Sequence, residues 1–185
     1  MKAILPFLAI ATSGLLGLAS FSAQAADGTI AITGTVSEST CSINGAASGT
    51  SADKSITLPP VSAGSLSTAG TVGGTSGPSD LALTLSGCTG TATKAIARFE
   101  NGPTVDQGNG YLNNSGTATK VQVRLLNAQM QPINITTNSN NDISANATMI
   151  NGGNASLTYF AQYYSMGKAT AGTVSTSVQY TMQYQ

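Results

Sequence analysis

Residues 173–185, TVSTSVQYTMQYQ, alternate without a break. Val174, Thr176, Val178, Tyr180, Met182 and Tyr184 fall on one face of an extended chain, and Thr173, Ser175, Ser177, Gln179, Thr181 and Gln183 on the other. A half-apolar strand of this kind carries a row of N–H and C=O groups that must find partners. Terminal residues fray unless they are tied down. The segment therefore predicts a pairing partner, either in its own sheet or on another molecule.

The same period of two recurs upstream. GTIAITGTV (28–36) places Ile30, Ile32, Gly34 and Val36 on one face, and the stretch after Cys41 runs into an Asn44-Gly45 turn. A short apolar stretch, Ile56-Thr57-Leu58, stops at Pro59-Pro60, and the Gly/Ser/Thr-rich residues 62–79 read as a surface loop. DLALTLSGC (80–88) predicts a strand with Leu81, Leu83 and Leu85 on one face, and TKAIARFENG (93–102) a second that turns at Asn101-Gly102. Val121, Val123 and Leu125 mark a third, and SLTYFAQYYSMG (156–167) a fourth. Between them lies an Asn-rich stretch whose only large apolar residues are Ile143, Met149 and Ile150. No helical period appears after residue 25, so the reading is all-β: about seven short strands in an immunoglobulin-like antiparallel sandwich. Six of the eight aromatics after residue 25 lie in the last 27 residues, which predicts that the last two strands carry much of the core.

The first 25 residues read as an export signal: Lys2, an apolar run from Ala3 to Ala19, and the small-residue site Ala23-Gln24-Ala25. Cleavage after Ala25 leaves 160 residues, enough for one domain. In an exported chain Cys41 and Cys88 predict one disulfide. Without Lys2 there are six basic and seven acidic side chains, a net charge of −1, with no basic patch to attract nucleic acid. Charged residues make up only 8% of the chain, which suits a protein in lasting contact with copies of itself. There is no histidine, so neither a Ser-His-Asp nor a Cys-His arrangement can be built, and no carboxylate shares a motif with another. No metal set and no cofactor motif is present, and the reading is non-enzymatic. Four Asn-x-Ser/Thr triplets, at Asn113, Asn134, Asn146 and Asn154, are the coincidence expected of an Asn-, Ser- and Thr-rich chain.

Several of these features together resemble the chaperone-usher pilins, the subunits of type 1 and related fimbriae. They are Tyr184 as the penultimate residue, Gly172 fourteenth from the end, the alternation between them, GTIAITGTV followed by Cys41, and DLALTLSGC reaching Cys88. The resemblance implies an incomplete immunoglobulin-like β-sandwich that lacks its last strand and is completed by a donor strand from another subunit. It implies a signal peptide at 1–25, a donor extension at 26–36 and a pilin domain at 37–185. The donor residues would be Ile30, Ile32, Gly34 and Val36, with Gly34 where a larger side chain would not fit. The groove edge, also the site for a periplasmic chaperone, would be Gly172, Val174, Thr176, Val178, Tyr180, Met182 and Tyr184. The implied partners are neighbouring subunits, the chaperone and an outer-membrane usher. The implied location is the cell surface, reached through the periplasm, in a fimbria that supports adhesion. The rod subunit is favoured over a minor adaptor because the chain has both donor and acceptor segments, and a tip adhesin's extra receptor-binding domain has no room here. Two other readings stay open at this point: an ordinary complete sandwich, and a small outer-membrane β-barrel, against which the short strands and the internal disulfide argue.

Overall fold

Alternating apolar positions become strands wherever a second strand lies within reach. The computed structural model describes Ala31, Thr33 and residues 40–185; the predicted signal, and the donor positions Ile30, Ile32, Gly34 and Val36, lie outside the described residues. Those residues form β1 (Ser42–Ile43), β2 (Val72–Gly73), β3 (Leu81–Ser86), β4 (Lys94–Phe99), β5 (Leu112–Asn113), β6 (Val121–Leu126), β7 (Thr148–Met149), β8 (Ala155–Ser165) and β9 (Tyr180–Tyr184). The larger sheet runs β1-β3-β8-β6-β5, with β2 added to β8; the smaller runs β7-β4-β9. All pairings are antiparallel. Two separate sheets with open edges form a sandwich, so the barrel reading is set aside.

The eleven-residue β8 organises the larger sheet. Its first half pairs with β3, from Leu85↔Ala155 to Leu81↔Tyr159, and its second half with β6, from Leu126↔Phe160 to Val121↔Ser165. The period of two then aims Leu83 and Leu85, Val123 and Leu125, and Leu157, Tyr159 and Ala161 into one core. From the smaller sheet β4 adds Ala95, Ala97 and Phe99. Two small alanines in this strand let the sheets approach, and the Phe99 and Tyr159 rings meet edge to face, 5.1 Å between centroids. Beyond its short pairing with β7, the free side of β4 is closed by side chains. The Ala97 N–H donates to the Tyr159 hydroxyl at 3.0 Å, and Asn141 Nδ2 donates to the Ala97 carbonyl at 2.9 Å.

The Cys41–Cys88 disulfide ties the start of β1 to the end of β3. It closes a loop spanning 47 positions, for which the chain-entropy model gives about 4 kcal/mol. Asn44 and Gly45 both have positive φ, 51° and 80°, and the Ala46 N–H returns to the Ile43 carbonyl at 2.9 Å, the tight turn read from the sequence.

Three expectations need correction. Residues 62–79 are more than a surface loop: a 3-10 turn, Ala63–Leu66, is capped by the Ser62 hydroxyl and buries Leu66 against Ala118, Val121 and Ala169, and β2 then joins β8. One apolar side chain is enough to dock a polar segment. The last two strands do line the core, but with fewer buried rings than expected: Tyr159 is the buried member among the six late aromatics, Tyr163, Tyr180 and Tyr184 pack half-buried against the core, and Phe160 and Tyr164 alternate onto the other face of β8. The terminal strand is laddered only over Tyr180–Tyr184; residues 173–179 are extended without a strand partner.

Burial pushes the Tyr159 phenol up to about 12, against a smaller opposing effect of its bond to the Ala97 backbone. The folded protein thus favours the neutral phenol, so this contribution is complete below pH 10 and is lost as pH rises through about 12. We expect unfolding measured between pH 9 and 12 to show a loss of roughly 2 kcal/mol that Tyr159→Phe removes; an equal loss in the variant would place the effect elsewhere.

Candidate functional site: an open groove beside the terminal strand

The terminal segment uses only one of its two hydrogen-bonding sides. Just past β9 the Gln185 N–H and C=O pair with Lys94, and just before it the Gln179 carbonyl accepts from Glu100 N at 2.9 Å. Odd-numbered residues therefore point their peptide groups at β4. The same parity continues where β4 ends. The Ser177 carbonyl accepts from Thr104 Oγ1 at 2.7 Å, Ser175 exchanges bonds with Ser115 and Asn114, and Thr173 with Ala118 and Thr117. Even-numbered residues must then point theirs the opposite way. Among the described residues, the N–H and C=O groups of Val174, Thr176, Val178, Tyr180, Met182 and Tyr184 have no hydrogen-bond partner.

Those six residues also turn their side chains toward the core, where each is half-buried, while their odd neighbours from Thr173 to Thr181 are exposed. Facing them is a second wall, residues 50–58, in which Ile56 and Leu58 pack on the same core. Lys54 Nζ holds this wall to the larger sheet through the Ala82 carbonyl at 3.0 Å. Among the described residues, no backbone–backbone bond is made by residues 51–58. Between the walls lies a groove of about 1180 Å³, with Leu83, Phe99, Leu112, Val123, Leu125 and Tyr159 among its lining. These floor residues are themselves buried, and the accessible apolar surface of the groove belongs to the half-buried wall residues Val174, Val178, Tyr180, Met182, Tyr184, Ile56 and Leu58.

Two details qualify this opening. The Tyr180 hydroxyl crosses to the other wall and donates to the Ala52 carbonyl at 2.7 Å. Burial pushes the Tyr180 phenol up, with a further push from Asp53, and burial also raises Tyr184, with Tyr180 adding to it. The Thr176 hydroxyl is buried and unpartnered. On an otherwise apolar face, that orphan costs about 1–3 kcal/mol.

The upper half of the terminal wall is held by a loop that the sequence did not single out. Asn114 Oδ1 accepts from Gly116 N and Ser175 N, Asn114 Nδ2 donates to the Ala118 carbonyl, and the Thr117 and Thr173 hydroxyls lie 3.2 Å apart. Two glycines permit this contact. A Cβ on Gly116 would overlap the Thr173 carbonyl, and one on Gly172 would come 2.5 Å from Ala118 N. Gly172 therefore sits at the head of the wall as a close-packing residue, and the polar spacing of 114–118 carries no periodic signal by which to find it. Among the described residues, no group of three His, Cys, Asp or Glu side chains could hold a metal.

The arrangement is a sandwich with an apolar slot beside a terminal strand that has a neighbour on only one side. Residues 30–185 match the fimbrial protein family. The chain is 36% identical to the major fimbrial subunit SMF-1 of Stenotrophomonas maltophilia (strain K279a) over 92% of this chain and 99% of that one. It is 37% identical to the F17 fimbrial protein of Escherichia coli, over 93% and 96%. Among solved structures, the P pilus rod subunit PapA superposes with a TM-score of 0.53 at 26% identity, over 85% of this chain and all of that one. The chain belongs to the fimbrial protein family. It is a structural subunit of a chaperone-usher fimbria, not an enzyme, and is exported to the cell surface as part of the fimbria.

Because the glycine contacts are with backbone atoms, substitution cannot be relieved by a side-chain rotation. Gly172→Ala and Gly116→Ala are each expected to cost about 1–3 kcal/mol, read as a lowered midpoint in denaturant unfolding; midpoints within 0.3 M of the parent would show that the loop and wall are not coupled.

Proposed function

We propose that the groove receives residues 26–36 of a neighbouring copy, so that this chain is a rod subunit that polymerises by donor-strand exchange. Residues 1–25 are the export signal and 37–185 the accepting domain. Ile30, Ile32 and Val36 enter the groove, and Gly34 lies where there is no room for a side chain. What supports this is the unpaired even-numbered backbone of the terminal wall beside an apolar lining: an inserted antiparallel strand supplies both kinds of missing partner. Burying two isoleucines and a valine contributes about 5 to 9 kcal/mol, and each ladder bond about 1 kcal/mol more. Head-to-tail insertion does not close on itself, so each joint creates the next and a filament grows.

The same opening makes a lone subunit aggregation-prone, since an unpaired edge over exposed core is a template for any strand. In this reading a periplasmic chaperone lends a strand to Val174, Thr176, Val178, Tyr180, Met182 and Tyr184, and the outer-membrane usher exchanges it for the next donor. The resulting fimbria serves attachment. The rod role is favoured over a minor adaptor by the likeness to a major fimbrial subunit across nearly its whole length.

Two experiments bear on this. Deleting residues 26–36 should leave a subunit that still binds chaperone and accepts a donor but cannot cap its neighbour, so surface fibres, sheared and imaged by electron microscopy, should vanish; normal fibres would refute the donor assignment. A donor must also compete with the Tyr180 hydroxyl for the Ala52 carbonyl. Tyr180→Phe keeps the ring and removes the competitor, so a synthetic 26–36 strand should exchange into the chaperone-bound subunit with about fivefold higher affinity, the equivalent of about 1 kcal/mol. Unchanged or weaker affinity would mean that the bond survives in the filled groove.

A further inference from the structure

Asparagine is a thermally labile residue, and most so before a glycine, whose nitrogen no neighbouring side chain shields. Once that nitrogen has lost its proton it attacks the asparagine Cγ. The N–Cγ bond forms, the Cγ–Nδ2 bond breaks, and the amide nitrogen leaves as ammonia. The cyclic imide then takes up one water: opening at Cγ gives aspartate, and opening at the main-chain carbonyl gives isoaspartate, with the backbone rerouted through Cγ. Overall, amide and water become acid and ammonia. Attack requires a side chain free to turn its Cγ toward the next nitrogen, and a nitrogen that is not already donating a hydrogen bond.

The chain has four Asn-Gly pairs, at Asn44, Asn101, Asn109 and Asn151. The fold restrains three of them. Asn44 Oδ1 accepts from Thr84 N at 2.9 Å and from Thr84 Oγ1 at 3.2 Å. Asn101 is locked to Gln107 by two amide bonds, of 3.1 and 2.8 Å. Asn109 Oδ1 accepts from Tyr111 N, its Nδ2 donates to Gln122 Oε1, and the Gly110 nitrogen is committed to the Asp106 carbonyl at 2.8 Å. Asn151 differs: it is exposed, and among the described residues neither its side-chain amide nor the Gly152 N–H has a hydrogen-bond partner. Its main-chain carbonyl accepts from Asn154 N at 3.0 Å, which draws electron density from the Asn151–Gly152 peptide and favours loss of the Gly152 proton.

We propose that Asn151 is a site of spontaneous conversion to aspartate and isoaspartate in the folded protein. The inference is independent of the donor-strand reading, because residues 151–154 are no part of the groove lining. They form the turn between β7 and β8, in which Gly152 and Gly153 have φ of 56° and 75° and Asn151 and Asn154 exchange backbone bonds. Either product adds one negative charge to a chain with few charges. Isoaspartate also adds a backbone carbon, so the two-residue turn no longer closes in register. The Gly153 carbonyl accepts from Cys88 N at 3.0 Å, so the disturbed turn lies beside the disulfide end of β3.

The sequence supplies its own control, since Ile43-Asn44-Gly45 and Ile150-Asn151-Gly152 are the same tripeptide. The test ages fibres sheared from cells in mildly alkaline buffer and follows all four pairs by peptide mapping and mass spectrometry, with the isoaspartate product resolved by chromatography. Asn151 should convert at least about tenfold faster than each of the other three, the rate equivalent of one restraining hydrogen bond that must break first. In the reduced, urea-unfolded chain Asn44 and Asn151 should convert at similar rates. Gln107→Ala releases Asn101, whose conversion should rise about tenfold while that of Asn151 is unchanged. Asn44 or Asn101 converting in the folded protein as fast as Asn151 would overturn the proposal. So would an Asn151 lead of the same size in the unfolded chain, or no response of Asn101 to Gln107→Ala, since either would show that the fold does not set the order.

Discussion

Every backbone N–H and C=O that leaves water must find a partner, and six consecutive inward-facing residues of the terminal wall have none within the described chain. The rest of the architecture can be understood from that constraint. The odd-numbered groups of the same segment are tied to β4, Thr104 and the 114–118 loop, which holds the wall straight and keeps its free side aimed across the groove. Opposite, residues 51–58 remain extended without backbone partners, anchored by Lys54 and by the Ile56 and Leu58 side chains. Both walls are unpaired along the same groove, and the single inserted strand proposed above answers both.

The energetic consequence is an asymmetry between the two halves of the molecule. The β3-β8-β6 face, the β4 alanines and the disulfide form a finished core, with Leu83, Leu85, Ile96, Leu126, Ile133 and Leu157 fully buried. Along the groove, by contrast, Val174, Val178, Tyr180, Met182 and Tyr184 are only half-covered. The covered part positions the open part, and in the proposed reading the open part holds in reserve the free energy that assembly releases. In that reading a fibre draws its strength from apolar burial repeated at each joint, which requires neither charge complementarity nor a large flat interface. The low charge of the chain is consistent with such contacts.

Much of this was legible in the sequence, for identifiable reasons. β3, β4, β6 and β8 were readable because each repeats apolar residues every second position or continuously over six or more residues. The Asn44-Gly45 turn and the cysteine pairing were readable because few residue types fit those roles. The parity of the terminal segment, with its even residues inward, was read correctly; its division into a laddered half and a tethered half was not, because the tether comes from Asn114, Thr117 and Ser115 side-chain and loop contacts that have no period. The wall at 50–58 was missed for a related reason: a strand that lacks a partner in its own subunit selects only a few inward side chains, here Ala52, Ile56 and Leu58. The Asn-rich region was opaque because its shape comes from side chains bonding nearby backbone, as when Asn134 Oδ1 accepts from Thr136 and Thr137, and Asn127 braces Gln129 and Gln131.

The central claim is that the even-numbered amides of the terminal wall acquire their partners only on assembly. Residue-resolved hydrogen–deuterium exchange on intact fibres tests it most directly. The account predicts that amides 174, 176, 178, 180, 182 and 184 are as slow to exchange as 181 and 183, which are paired with β4 inside the subunit. Even-numbered amides that exchanged in the fibre at the rate of an unstructured peptide, beside protected odd-numbered ones, would contradict it.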